Sequence, residues 1–112
     1  MLLNHEKLDV YQVSIEFAVI ASGLVKQILS GYAFLSDQLK RASFSITLNI
    51  AEESGSFTDK DKSRFYKIAR GSANECAAIF DITFAIGIID EPFYTKAKSL
   101  LFRIVSMLCK MF

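Results

Sequence analysis

The sequence predicts an all-α protein, an up-down-up-down antiparallel four-helix bundle formed by one domain of 112 residues. Three observations predict it. Apolar residues recur at steps of three and four through four successive segments. Short connections separate those segments, and no stretch alternates with the period of two that marks a strand. Helices of similar length joined by short connections run antiparallel to their neighbours.

The first helix is expected over about residues 8–29, where Val10, Val13, Phe17, Ile20, Leu24 and Ile28 share a face and Ser30-Gly31 ends the pattern. The second is expected over 34–54, with Gly55 placed to supply a left-handed C-cap. This helix is not simply amphipathic. At about 100° per residue, Gln38, Arg41, Ser45, Asn49 and Glu52 fall in one narrow polar ridge. Leu35, Leu39, Ala42, Ile46 and Ile50 lie on one side of the ridge; Phe44, Leu48 and Ala51 lie on the other. A surface helix has one apolar face. Two apolar flanks need two covers, and one bundle core supplies only one, so Phe44 and Leu48 are the expected subunit interface of a homo-oligomer.

Thr58 and Asp61 resemble a capping box opening the third helix, over 59–87. Its expected seam is Phe65, Ile68, Ser72, Cys76, Ile79, Ile82 and Ile86. Gly71 inside it costs about 1 kcal/mol relative to Ala, which suggests close approach by another helix. The fourth helix is expected over 91–111, capped by Asp90, with Pro92 in the first turn where a missing N–H costs nothing. Phe93, Ala97, Leu100, Ile104, Leu108 and Met111 carry its apolar face.

Composition removes several functional classes. The chain is 52% apolar, with ten Phe and no Trp, and a domain this small buries a modest share of its surface. Some of that apolar surface is therefore expected under other subunits. Membrane insertion fails on length: the longest apolar run, 79–89, is about half the roughly 20 residues a spanning helix needs, and Asp81 interrupts it. No charged-then-apolar leader stands at the N-terminus. Cys76 and Cys109 lack a metal or redox spacing and read as buried, reduced residues of a cytoplasmic protein.

The only histidine, His5, precedes the first helix and has no glutamate three residues before it. That excludes the Glu-x-x-His di-iron site of bundle proteins and leaves no imidazole for a nucleophile in the core. Arg70-Gly71-Ser72 sits inside a helical pattern and is no phosphate loop, which needs a Gly-rich turn and a Lys before a helix. The expectation is a protein that is not an enzyme, with no catalytic residues, metal, cofactor or small-molecule substrate.

Net charge is +1, so nothing pulls the whole molecule toward nucleic acid. The distribution is uneven: residues 40–70 hold seven basic against four acidic side chains, a surplus of three. Lys60, Arg64, Lys67 and Arg70 fall within about a third of the circumference of the third helix, off its seam, and form a candidate nucleic-acid-binding stripe able to meet phosphates. An ordinary solvated face is the other reading. No base-reading motif or aromatic platform accompanies the stripe.

Arg41, Ser45, Asn49, Glu52 and Glu75 form a second constellation. An antiparallel pairing about Ser56-Phe57 sets Arg41 level with residues 72–75, Ser45 with Ala69 or Arg70, and Asn49 with Phe65 or Tyr66. These groups either make an internal network that fixes helix register or line a ligand site.

The stretch QLKRASFSITLNIAE (38–52), then FYKIARGS (65–72) followed by Glu75, resembles the two signature blocks of the bacterial 23S rRNA intervening-sequence proteins, also called the S23 ribosomal protein family. The resemblance runs from about Leu8 to the C-terminus. It implies a four-helix bundle assembling as a homopentamer and encoded within ribosomal RNA intervening sequences. It also implies similarity to the accessory proteins of diversity-generating retroelements, which bind nucleic acid and a reverse transcriptase. Two positions depart: Glu53 stands where the family usually has Gly, and Ser56 where it often has a basic residue. The expected function is a non-catalytic homo-oligomeric scaffold that associates with RNA or a ribonucleoprotein. The alternative is a protein-only adaptor ring.

Overall fold

The structure, a computed structural model, describes residues 3–4, 8–28 and 30–111. Four helices carry it: α1 (Asp9–Gln27), α2 (Ala33–Ser54), α3 (Asp59–Ala85) and α4 (Glu91–Lys110), with a short 3-10 turn, Ser30–Tyr32, leading into α2. Each packs against its sequence neighbours, and α4 closes the square against α1. Paired contacts fix the directions. Arg41 meets Glu75 while Ser45 meets Ser72, so α2 and α3 run antiparallel. Glu16 faces Lys96 while Gly23 lies against Phe93, so α1 and α4 do too.

The core line of α2, Leu35, Leu39, Ala42, Ile46 and Ile50, is buried as the sequence pattern requires. Phe17 and Phe80 meet across the diagonal with ring centroids 5.8 Å apart, and Phe93 stacks on Phe80 at 6.0 Å. These three rings fill the centre that four backbones leave open.

α3 departs from its expected seam. Its buried residues are Tyr66, Ala69, Ala73, Cys76, Ile79, Phe80 and Thr83, whereas Ile68, Ile82 and Ile86 are exposed. The buried line 66, 69, 73, 76, 80 and 83 also steps by three and four; it shares Cys76 with the expected seam, and Ile79 is buried beside it. The fold selects the one in which Ala69 and Ala73 let α2 and α4 close in while Phe80 fills the middle. The isoleucines consequently turn outward on the α2 side.

The ends show further differences. Gly55 is not left-handed; its φ is −93°. The left-handed glycine is Gly87, at φ 82°, where Ile88 N–H donates to Thr83 O at 2.9 Å and Gly87 N–H to Phe84 O at 3.1 Å. That bond pattern needs a positive φ to turn the chain back after a helix. Thr58 and Asp90 cap α3 and α4, accepting from Asp61 N–H and Phe93 N–H at 3.1 and 3.0 Å. A Cβ at Gly71 would meet nothing within 4 Å, so no helix approaches there. Cys109 is exposed rather than buried, because it lies off the Leu101–Ile104–Leu108 line. His5 lies outside the described residues.

Candidate functional site

Three neighbouring regions of α2 and α3 hold the side chains singled out by sequence. The first is the polar ridge. Arg41 Nη2 donates to Glu75 Oε2 at 2.8 Å and to Gln38 Oε1 at 2.6 Å. One turn along, Ser72 donates to Ser45 Oγ at 2.9 Å, and Asn49 Nδ2 donates to the Ser45 carbonyl and hydroxyl at 2.8 and 3.1 Å. Asn49 thus bonds back along its own helix instead of reaching Phe65 or Tyr66. The Glu52 side chain is exposed, and its contribution among the described residues is its carbonyl, which accepts from Ser56. The ridge therefore ties α2 to α3 at two levels.

Its ion pair lies in water. The Arg41 and Glu75 side chains are 62% and 39% exposed, which places them among surface pairs worth roughly 0–1 kcal/mol.

The buried polar contact of this seam is another one, which the ridge pattern did not include. Glu53 is buried and accepts a hydrogen bond from the buried Tyr66 phenol. Burial first, then the Glu53 carboxylate, push the Tyr66 hydroxyl well above its ordinary range. The signal was present in the helical phase: Glu53 follows Ile50 by three residues and Ile46 by seven, so it falls on the core line of α2. On the same seam, burial and the Glu75 charge push the Cys76 thiol up to about 12, against a lowering by Arg41. A thiol so protonated is a poor nucleophile.

The second region is the basic stripe. Lys60, Arg64 and Lys67 are exposed and line one shallow depression with Asp61, Ser63 and Ile68. Arg70 is half-buried and stands apart from it. Asp61 sits 4.0 Å from Arg64, whose guanidinium lies 4.3 Å over the Phe65 ring. Arg64 is therefore shared between a carboxylate, a ring and solvent, while Lys60 and Lys67 face water. This arrangement can meet phosphates.

The third region is the far flank of α2. Phe44 and Leu48 are 54% and 62% exposed. Thr47 donates to Ser14 at 3.0 Å and so sets α1 level with α2; Ile15 and Val19 are exposed on α1 at the same height. Among the described residues no group of three metal-ligating side chains gathers, and no helix is long and apolar enough to cross a membrane.

The sequence profile described as 23S rRNA-intervening sequence protein matches residues 6–110, nearly the whole chain. The chain belongs to that family. A crystal structure from Bacteroides thetaiotaomicron, described as a protein of unknown function from the S23 ribosomal protein family, agrees in fold. It superposes with a TM-score of 0.82 at 26% identity, over 91% of this chain and 96% of that one. No curated protein matches the sequence. The relatives establish the family and its four-helix fold, and the family's names describe a ribosomal-type protein and no enzyme.

Proposed function

We propose that this protein is a non-catalytic, homo-oligomeric scaffold that associates with RNA or a ribonucleoprotein through the stripe Lys60, Arg64 and Lys67, with Arg70 at its edge. The observation that carries this reading is the grouping of the first three around one outward depression, off the core. Such side chains are free to neutralise phosphates without disturbing the bundle. The family's name, which refers to a ribosomal RNA insertion, supports RNA as the partner. Assembly makes the weak stripe useful, since copies on one ring act together by avidity. Five subunits is the number the family resemblance suggests. The exposed Phe44, Leu48, Ile15 and Val19 supply an apolar flank for the neighbouring copy.

An RNA titration at low and at physiological salt tests this reading. Wild type should bind at low salt, and log affinity should fall with log salt by about 0.7–0.9 per phosphate neutralised. The combined variant Lys60→Ala, Arg64→Ala, Lys67→Ala should lose that binding and keep its oligomeric state. Light scattering that gives a monomer at micromolar concentration would remove the assembly. Absence of RNA binding by wild type at low salt would remove the RNA partner. The second reading, a protein-only adaptor ring in the cytoplasm, would then stand on the same apolar flank.

A further inference from the structure

We propose that the tip of the α2–α3 hairpin is a stacking site for an unpaired base of single-stranded RNA. Phe57 lies against the base, and Lys60, Arg64 and Lys67 take the adjoining phosphates. The inference rests on the stripe reading above and specifies the class of RNA. Phe57 is 100% exposed and contributes nothing to the bundle. A lone exposed ring is ordinary on a protein surface, so exposure by itself decides nothing. Two further features do.

The backbone on both sides of the ring is held. Gly55 N–H donates to Glu52 O at 3.2 Å, Ser56 N–H to Glu53 O at 3.0 Å, and Ser56 Oγ to Glu52 O at 2.9 Å. On the other side Thr58 caps α3 through Asp61 N–H. Phe57 is therefore presented from a fixed turn instead of a frayed end. The stripe follows it along the chain, after Thr58 and Asp59. Lys60 follows by three residues, Arg64 by seven and Lys67 by ten, and at 1.5 Å per residue the three cations cover about 10 Å of helix. The stripe has no aromatic platform of its own, and Phe57, just before α3 begins, supplies the missing ring; a stacking ring beside a row of cations is one arrangement by which proteins hold single strands. Asp59 and Asp61 offset part of the charge in the same turn, so phosphate attraction alone is weak and the ring supplies discrimination.

The discrimination has a direction. In a duplex each base face is covered by its neighbour, so an aromatic side chain finds a free face only on unpaired bases and at ends. Every base has such a face, so the preference is for single strands and carries no base sequence.

The full chain contains no Trp, so Phe57→Trp introduces one selectively excitable reporter at the tip. The probes are an oligouridine of about 16 nucleotides and a duplex of equal length, both at low salt. We expect wild type to prefer the single strand. Phe57→Ala should weaken single-strand binding by about ten-fold, leave duplex binding within about two-fold, and keep the salt slope, because no charge is lost. The indole emission of the Phe57→Trp variant should be quenched by the single strand and not by the duplex. Since the position is fully exposed, both variants should melt like wild type. If wild type binds RNA but Phe57→Ala binds both probes like wild type, the stacking site is wrong and the stripe reading survives. If wild type binds neither probe, the stripe reading fails and takes this inference with it. A blue shift on phosphatidylserine vesicles without a response to RNA overturns the inference in favour of an anionic membrane surface.

Discussion

Of the polar contacts that join α2 to α3, the ion pair on the ridge and the pair beside the loop lie in opposite environments. Arg41 and Glu75 form a short ion pair in the open. Glu53 and Tyr66 form a hydrogen bond with both residues buried. The conspicuous charges are the weaker contact, because solvent screens them and two long side chains must be ordered to meet. The inconspicuous pair is expected to be the stronger determinant, because both residues are largely shielded from water and a group that loses its partner there is poorly compensated. Formal charge on a ridge is thus a poor guide to where register is fixed; position on the core line is a better one.

The largest effect is expected from Tyr66→Phe. It keeps the ring and leaves the buried Glu53 carboxylate without its donor, at a cost of about 1.5–3 kcal/mol, the range for hydrogen bonds to charged groups. Urea unfolding at neutral pH would measure it. A loss no greater than that of Arg41→Ala would reverse the comparison.

The same substitution should change the alkaline limb of stability. Burial and Glu53 raise the Tyr66 hydroxyl above its unfolded value, so above about pH 10 the unfolded chain releases a proton that the folded one keeps. Stability is therefore full below that pH and declines as pH rises toward the folded value. Tyr66→Phe should flatten this decline. Asp81 behaves in the opposite sense. Its bonds from Lys98 and Tyr94, both at 2.7 Å, hold it below the usual carboxylate range. Its contribution is present above about pH 4 and is lost as pH falls through the lowered value. The part of the acid-side decline that belongs to Asp81 should be missing in Asp81→Asn, as urea midpoints across both limbs would show.

These two contacts also show what could be read from the chain. The buried line of α2 was legible because Leu35, Leu39, Ala42, Ile46 and Ile50 leave no competing series with better hydropathy. α3 offered two series of equal period, and hydropathy favours the isoleucines. The fold chose the alanines, because how closely helices approach depends on small side chains and hydropathy does not measure that. Glu53 was legible only by phase, and a carboxylate is an unusual core residue unless a donor such as the Tyr66 hydroxyl answers it. Of the candidate site, Lys60, Arg64 and Lys67 came together because i, i+4 and i+7 share a helix face. Arg70 separated because it lies on the flank toward α4, whose position no local pattern in α3 encodes.

Gly71 lies on α3 between the two contacts, facing solvent with nothing near a would-be Cβ. Gly71→Ala should raise stability by about 0.5–1 kcal/mol, since it adds helix propensity without a clash. The gain should be the same in the presence and absence of either contact, because it acts on the backbone of α3 as a whole. A loss instead would mean that another subunit packs against this exposed strip and leaves no room for a methyl group.

The smallest effect is expected from the Arg41–Glu75 pair, and it tests the assembly as well as the comparison. At 62% and 39% exposure a double-mutant cycle with Arg41→Ala and Glu75→Ala should give a coupling of roughly 0.2–1 kcal/mol. Added salt should shrink it further, since exposed charges are screened over about 10 Å at 0.1 M. The exposures belong to one chain, so the measurement also reports what covers the pair in solution. Were a neighbouring subunit to seal this ridge, removing Arg41 would strand a buried carboxylate and cost about 3–5 kcal/mol, with little response to salt. A small, salt-sensitive coupling would instead leave the ridge open in solution, as the subunit contact proposed at Phe44 and Leu48 requires.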